Sequence, residues 1–178
     1  MNSLRGDLKA IERIAYEFCQ DVAQNGILYV EARFCPHLML SEKIPEVTAR
    51  HVVKAVLKSF AKAEETIGVK ARAILCCISG LDQFSPEILE LCNEFRNDGV
   101  VGIDIAGNEN AIAASGESEL FTELDKSIFK EAKKLGIHRT VHAGEDGPSN
   151  NVKVDKVFTR KLQLSFCELI FFNRKRKA

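Results

Sequence analysis

Residues 134–144 read KLGIHRTVHAG, and three earlier stretches repeat the same plan: QNGILYVEARF at 24–34, TIGVKARAILCC at 66–77 and NDGVVGIDIAG at 97–107. In each, a helical pattern ends in glycine (Gly26, Gly68, Gly99 or Gly136) and runs straight into a β-rich segment. The end of a helix favours a residue that accepts positive φ, which glycine does without a Cβ clash. Upstream of each glycine the apolar residues recur at helical spacing. They are Leu8, Ile11, Ala15, Phe18 and Val22 in the first segment, and Ala49, Val53, Val56, Phe60, Ala63 and Ile67 in the second. Ile88, Leu91, Cys92 and Phe95 follow Ser85-Pro86-Glu87, a cap residue with proline at the first helical position, and Phe121, Leu124, Ile128, Ala132 and Leu135 precede Gly136. Helices alternating with strands predict an α/β fold in which the strands pair in parallel through right-handed crossovers.

The strands also carry charge at alternate positions. In ILYVEARF one face is Leu28, Val30, Ala32 and Phe34, and the other is Tyr29, Glu31 and Arg33. The polar parity holds Arg72 in the second strand, Asp104 in the third, and His138, Thr140 and His142 in the fourth. The apolar faces would pack on helices. Two acids against two arginines plus histidines suits the inside of a barrel, where buried charges must be paired. A sheet with one solvated face accounts for the same alternation.

The 178 residues balance 25 Lys+Arg against 25 Asp+Glu, with 46% hydrophobic residues, as expected of one soluble globular domain. A formal charge of zero argues against a chain built to grip phosphate backbones or acidic membranes. Charged residues interrupt every apolar run before the length of a membrane span, and the start MNSLRGDLKAIER lacks a signal-peptide layout, so a cytoplasmic location is expected. The six cysteines form no C-x-x-C pair, so neither a disulfide framework nor a zinc-finger spacing is present. Cys19, Cys76, Cys77 and Cys92 lie in apolar patterns and read as small core hydrophobes. After residue 153 the character changes: the tail 154–178 is rich in phenylalanine and ends in the basic run Arg174-Lys175-Arg176-Lys177.

Two segments bear chemistry. IHRTVHAGE ends in His142 and Glu145. A histidine at the C-terminal end of a barrel strand can ligate zinc, and a carboxylate three residues on can shuttle protons for a water that the metal activates. On spacing alone a core histidine fits equally. DIAGNE, at 104–109, ends a strand in Ala-Gly, where the Gly107 N–H could meet a ring nitrogen of a flat ligand; an ordinary turn fits the same residues.

Together, HRTVHAGE at 138–145, GIDIAGNE at 102–109, LYVEARFCPH at 28–37, KARAILCC at 70–77 and AIERIAYEF at 10–18 resemble consecutive segments of the adenosine deaminase family. The resemblance covers residues 7–153 and implies a zinc-dependent (β/α)8 TIM-type barrel that converts adenosine and 2′-deoxyadenosine to inosine and 2′-deoxyinosine plus ammonia. It implies His142 as a zinc ligand and Glu145 as the acid/base that protonates the purine ring. It also implies Gly107 as a backbone contact to the base and Asp104 as a supporting residue behind the site.

The sequence departs from the family pattern in three places. The family's first strand carries a His-x-His zinc pair, whereas the histidines here are 37, 51, 138 and 142. A Leu-Gly-His-Gly histidine and a Ser-Asp-Asp-Pro segment do not occur. The match supplies about the second to fifth strands, so the expectation is a partial barrel over 1–153, a divergent tail over 154–178, and an incomplete zinc site that is inactive alone. The open sheet edges of a partial barrel predict self-association or a partner. The alternatives are a non-catalytic fragment that binds nucleosides or other chains, and a related adenine or AMP deaminase.

Overall fold

The computed structural model describes residues 4–107 and 121–144. Among the described residues four α-helices alternate with four strands: α1 Leu8–Gln24, β1 Tyr29–Phe34, α2 Ala49–Ile67, β2 Lys70–Ile78, α3 Ser85–Glu94, β3 Val100–Ala106, α4 Glu123–Lys134 and β4 His138–Arg139. The strands form one parallel sheet in the order β1-β2-β3-β4, so α2, α3 and α4 each serve as the crossover to the next neighbour. Gly26, Gly68, Gly99 and Gly136 all have positive φ, between 72° and 121°, as the repeated helix-glycine-strand plan requires. The expected α/β partial barrel is thus the fold observed.

The chain divides into two compact units, whose described parts are 4–73 for the first and 74–107 with 121–144 for the second. The first is built on α1 and α2. Asp7 caps α1 by accepting from the Ala10 N–H at 3.0 Å. Thr48 and His51 form a capping box at the start of α2, which gives His51 a structural task. Ile11, Ala15, Cys19 and Val22 of α1 and Val52, Val53, Val56, Phe60 and Ala63 of α2 are buried. Phe18 and Phe60 meet at a ring-centroid distance of 6.4 Å, and Ser59 donates to the Glu12 carbonyl at 2.8 Å. The Lys70 N–H donates to the Leu28 carbonyl, joining the start of β2 to the chain before β1.

The second unit holds the rest of β2, α3, β3, α4 and β4. In the β3–β4 register Gly102 stands opposite His138 and Ile103 opposite Arg139. The ladder continues past β4, with the Thr140 N–H donating to the Ile103 carbonyl and the His142 N–H to the Ile105 carbonyl, each at 2.9 Å. Ile74, Leu75, Ile88, Leu91, Ile103, Ile105, Phe121 and Phe129 are nearly inaccessible and form its core.

Three sequence expectations change. Leu124 and Leu135 are 40% and 38% exposed, and the buried face of α4 is Asp125, Ile128, Phe129 and Ala132. The reason is the start of the helix: Thr122 and Asp125 form a capping box, so Asp125 turns inward and Leu124 outward. Ser85 lies inside α3 rather than capping it, because its hydroxyl donates to Asp125 Oδ1 at 2.9 Å. Leu28 is 55% exposed, since β1 begins one residue later. Arg72 Nη1 reaches Glu64 Oε2 at 3.0 Å, Glu31 accepts from the Tyr29 hydroxyl, and Asp104 faces His142. Cys19, Cys76, Cys77 and Cys92 are buried free thiols, as expected of small core hydrophobes. No helix among the described residues is long and apolar enough to cross a membrane.

Candidate active site at the strand ends

The site residues all belong to the second unit and stand at or near the C-terminal ends of its strands. β3 delivers Asp104 and Gly107, and the extension of β4 delivers His142. The parallel register does the positioning: the backbone bond from His142 to Ile105 sets that residue beside the end of β3, next to Asp104.

His142 Nδ1 lies 2.8 Å from Asp104 Oδ2. Asp104 is fully buried, while the His142 side chain is 22% exposed, so the carboxylate is behind and the ring in front. The contact is at ion-pair distance. A carboxylate at one ring nitrogen holds the imidazole in place and leaves the other nitrogen's lone pair for an electrophile, the arrangement found behind histidines that bind metal. Cys76 Sγ of β2 lies 3.9 Å from the same Asp104 oxygen and 3.2 Å from the Cys77 carbonyl oxygen. A thiol is a weak donor, so Cys76 adds little charge stabilisation and mainly excludes water from the carboxylate.

Gly107 follows the last residue of β3. The preceding Ala106 carbonyl accepts from the Ser79 N–H at 2.8 Å, which ties the ends of β2 and β3 together. Sequence reasoning named Asp104, Gly107 and His142, and the structure brings Asp104 and His142 into contact. Glu145 lies outside the described residues. Cys76 and Ser79 were not named, since a lone cysteine or serine at a strand end carries no sequence signal; their neighbours become visible only through the register of β2 on β3.

Zinc fits this corner as to one ligand and not as a whole centre. Among the described residues no group of three or more His, Cys, Asp or Glu side chains comes together, and a stable site needs at least three protein ligands.

The family model described as adenosine deaminase matches residues 2–160. The chain belongs to the adenosine deaminase family. Adenosine deaminase of Xenopus laevis is 41% identical over 162 residues, covering 86% of this chain and 44% of the frog protein. The Bos taurus enzyme is 40% identical over 173 residues, covering 91% of this chain and 46% of its own length. The chain therefore spans less than half the length of these curated relatives. Among solved structures, Arabidopsis ADAL complexed with IMP superposes with a TM-score of 0.72 at 25% identity, covering 88% of this chain and 45% of that one. An amidohydrolase from Burkholderia ambifaria with bound zinc superposes with a TM-score of 0.70 at 25% identity, covering 86% and 40%. The parallel sheet with alternating helices is the architecture shared with these structural neighbours.

Proposed function

We propose that this chain carries part of the machinery for zinc-dependent hydrolytic deamination of adenosine and 2′-deoxyadenosine. The observation that carries the reading is His142 held 2.8 Å from the buried Asp104 in a chain of the adenosine deaminase family. In this reading His142 is a metal ligand and Asp104 fixes its ring. The Gly107 backbone meets the purine base, and Glu145 exchanges the proton at the purine ring nitrogen. The residues 1–153 form the family portion, and 154–178 a divergent tail. In this reading the protein is cytoplasmic and acts on a nucleoside, with neither nucleic acid nor a membrane as partner; the balanced charge of the chain supports the exclusion of nucleic acid.

The described residues supply too few ligands for zinc, so the reaction requires ligands from a polypeptide beyond them. Self-association through the open sheet edges is one way for further residues to reach the site. Deamination of a nucleotide is the second reading, favoured by the likeness to Arabidopsis ADAL, which is solved with IMP and with GMP.

The test is loss of the adenosine absorbance band with zinc present, for this chain alone and with a polypeptide spanning the family segments it does not contain. The reading predicts no turnover alone, turnover in the mixture, and loss of that turnover with His142→Ala. Turnover unchanged by His142→Ala would contradict it, and preference for AMP over adenosine would favour the second reading.

A further inference from the structure

Gly107 is not among the glycines with positive φ, so its backbone is open to any L-residue and the need for glycine there must come from space. The space is already taken. A Cβ at position 107 would stand 2.6 Å from Ser79 Cβ, 3.0 Å from Ser79 Oγ and 3.4 Å from Ser79 Cα, whereas carbons at rest stay about 3.5–4.0 Å apart. Ser79 cannot withdraw easily, because its own N–H is bonded to the Ala106 carbonyl at 2.8 Å. Its hydroxyl oxygen is buried and has no hydrogen-bond partner among the described residues, so what Ser79 contributes there is volume.

We propose that Ser79 is a positioning residue for the purine-binding wall: its side chain fills the volume beside Gly107 and so sets how deep the Gly107 peptide stands for a bound purine nucleoside. The inference rests on the reading of Gly107 as a contact to the base. Ser79 itself touches no substrate. The side of Gly107 where a side chain would grow faces the end of β2, which leaves the peptide itself as the part available to a ligand. A substitution at 107 would displace that peptide unless position 79 yields.

The test uses the full chain and the variants Gly107→Ala, Ser79→Gly, Ser79→Ala and the doubles Gly107→Ala/Ser79→Gly and Gly107→Ala/Ser79→Ala. Thermal midpoint and adenosine affinity, the latter by equilibrium dialysis well below the midpoint, are measured on each. Gly107→Ala should lower Tm by roughly 5 °C, as overpacking does in a chain of this size. It should also weaken adenosine binding about tenfold. Adding Ser79→Gly should recover most of both losses. Adding Ser79→Ala should recover neither, since its Cβ remains in the contested space. A Gly107→Ala/Ser79→Gly chain no better than Gly107→Ala, or equal rescue by Ser79→Ala, overturns the steric assignment. Rescue of Tm with affinity indifferent to all five variants reduces Ser79 to packing and overturns the positioning role. If the unsubstituted chain binds no adenosine, the substrate reading fails, while the pattern of Tm values still decides whether Ser79 controls Gly107.

Discussion

Tyr29 and Glu31 stand two apart on β1, on one face of the strand, and the Tyr29 hydroxyl donates to Glu31 Oε1 at 2.7 Å. Burial first, and then this bond to a carboxylate, push the phenol up to about 12. The folded value is raised above the unfolded one near 10, so this contribution to stability is complete below about pH 10 and is lost as pH rises through about 12. With two tyrosines and no tryptophan in the chain, phenolate absorbance resolves the group directly. One of the two tyrosines should titrate at about pH 12, and Glu31→Gln should bring it down; a normal titration of both rings would refute the placement. Asp125 makes a comparable case in the opposite pH range. Burial raises its carboxyl, and the bonds from Ser85 and Thr122 only partly offset that. Stability from the neutral form is therefore full below the ordinary Asp value near 4 and is lost as pH rises through the raised folded value. Asp125→Asn should flatten this fall, so chemical denaturation should show the variant gaining on the parent chain as pH rises from below the ordinary Asp value through the raised folded one. The residue-level chemistry of His142 and Asp104 was only half legible. Strand parity puts Asp104 on the polar face, but the contact depends on the β3–β4 register, which alternation cannot specify.

Among the elements, the junction from α2 to β2 is the simplest to test. Gly68 caps α2 with φ of 80° and ψ of 15°, and its N–H donates to the Ala63 carbonyl at 3.1 Å. Nothing lies within 4 Å of where a Cβ would be, so Gly68→Ala meets no clash and pays only the left-handed backbone cost. Denaturant melts should show a loss of about 1 kcal/mol, with Gly68→Asn losing less. Thr122→Ala at the start of α4 should also cost about 1 kcal/mol, because the Asp125 N–H loses its acceptor and the Asp125 carboxyl one of its two hydroxyl donors, Ser85 remaining. An unchanged midpoint in either variant would contradict the capping assignments. These helix ends were readable because glycine at positive φ is a local demand that leaves a local mark in the sequence. The inward turn of Asp125 was not readable, since the same Phe121, Leu124, Ile128 spacing suits a helix rotated by one position until the cap fixes it.

At the scale of the molecule, four repeats of helix, glycine and strand were enough to predict a parallel sheet, because each crossover returns the chain to the same side. The sheet in fact runs in chain order, and the family relation makes it an arc of a larger barrel. What stayed hidden was the partner of Arg72: it bonds Glu64 of α2, a contact that strand alternation cannot specify. The central claim is that His142, backed by Asp104, is one ligand of a centre completed from outside the described residues. It predicts that zinc binds to this chain weakly and below one per chain. Joined to a polypeptide spanning the remaining family segments, the chain should hold one zinc, with adenosine turnover, and Asp104→Ala should lower that zinc affinity roughly 10–100-fold. Zinc per chain, measured by elemental analysis on the chain alone, on the mixture and on the mixture carrying His142→Ala, tests this most directly. Stoichiometric zinc only in the mixture with His142 intact is the predicted result; stoichiometric zinc in the mixture carrying His142→Ala would contradict it.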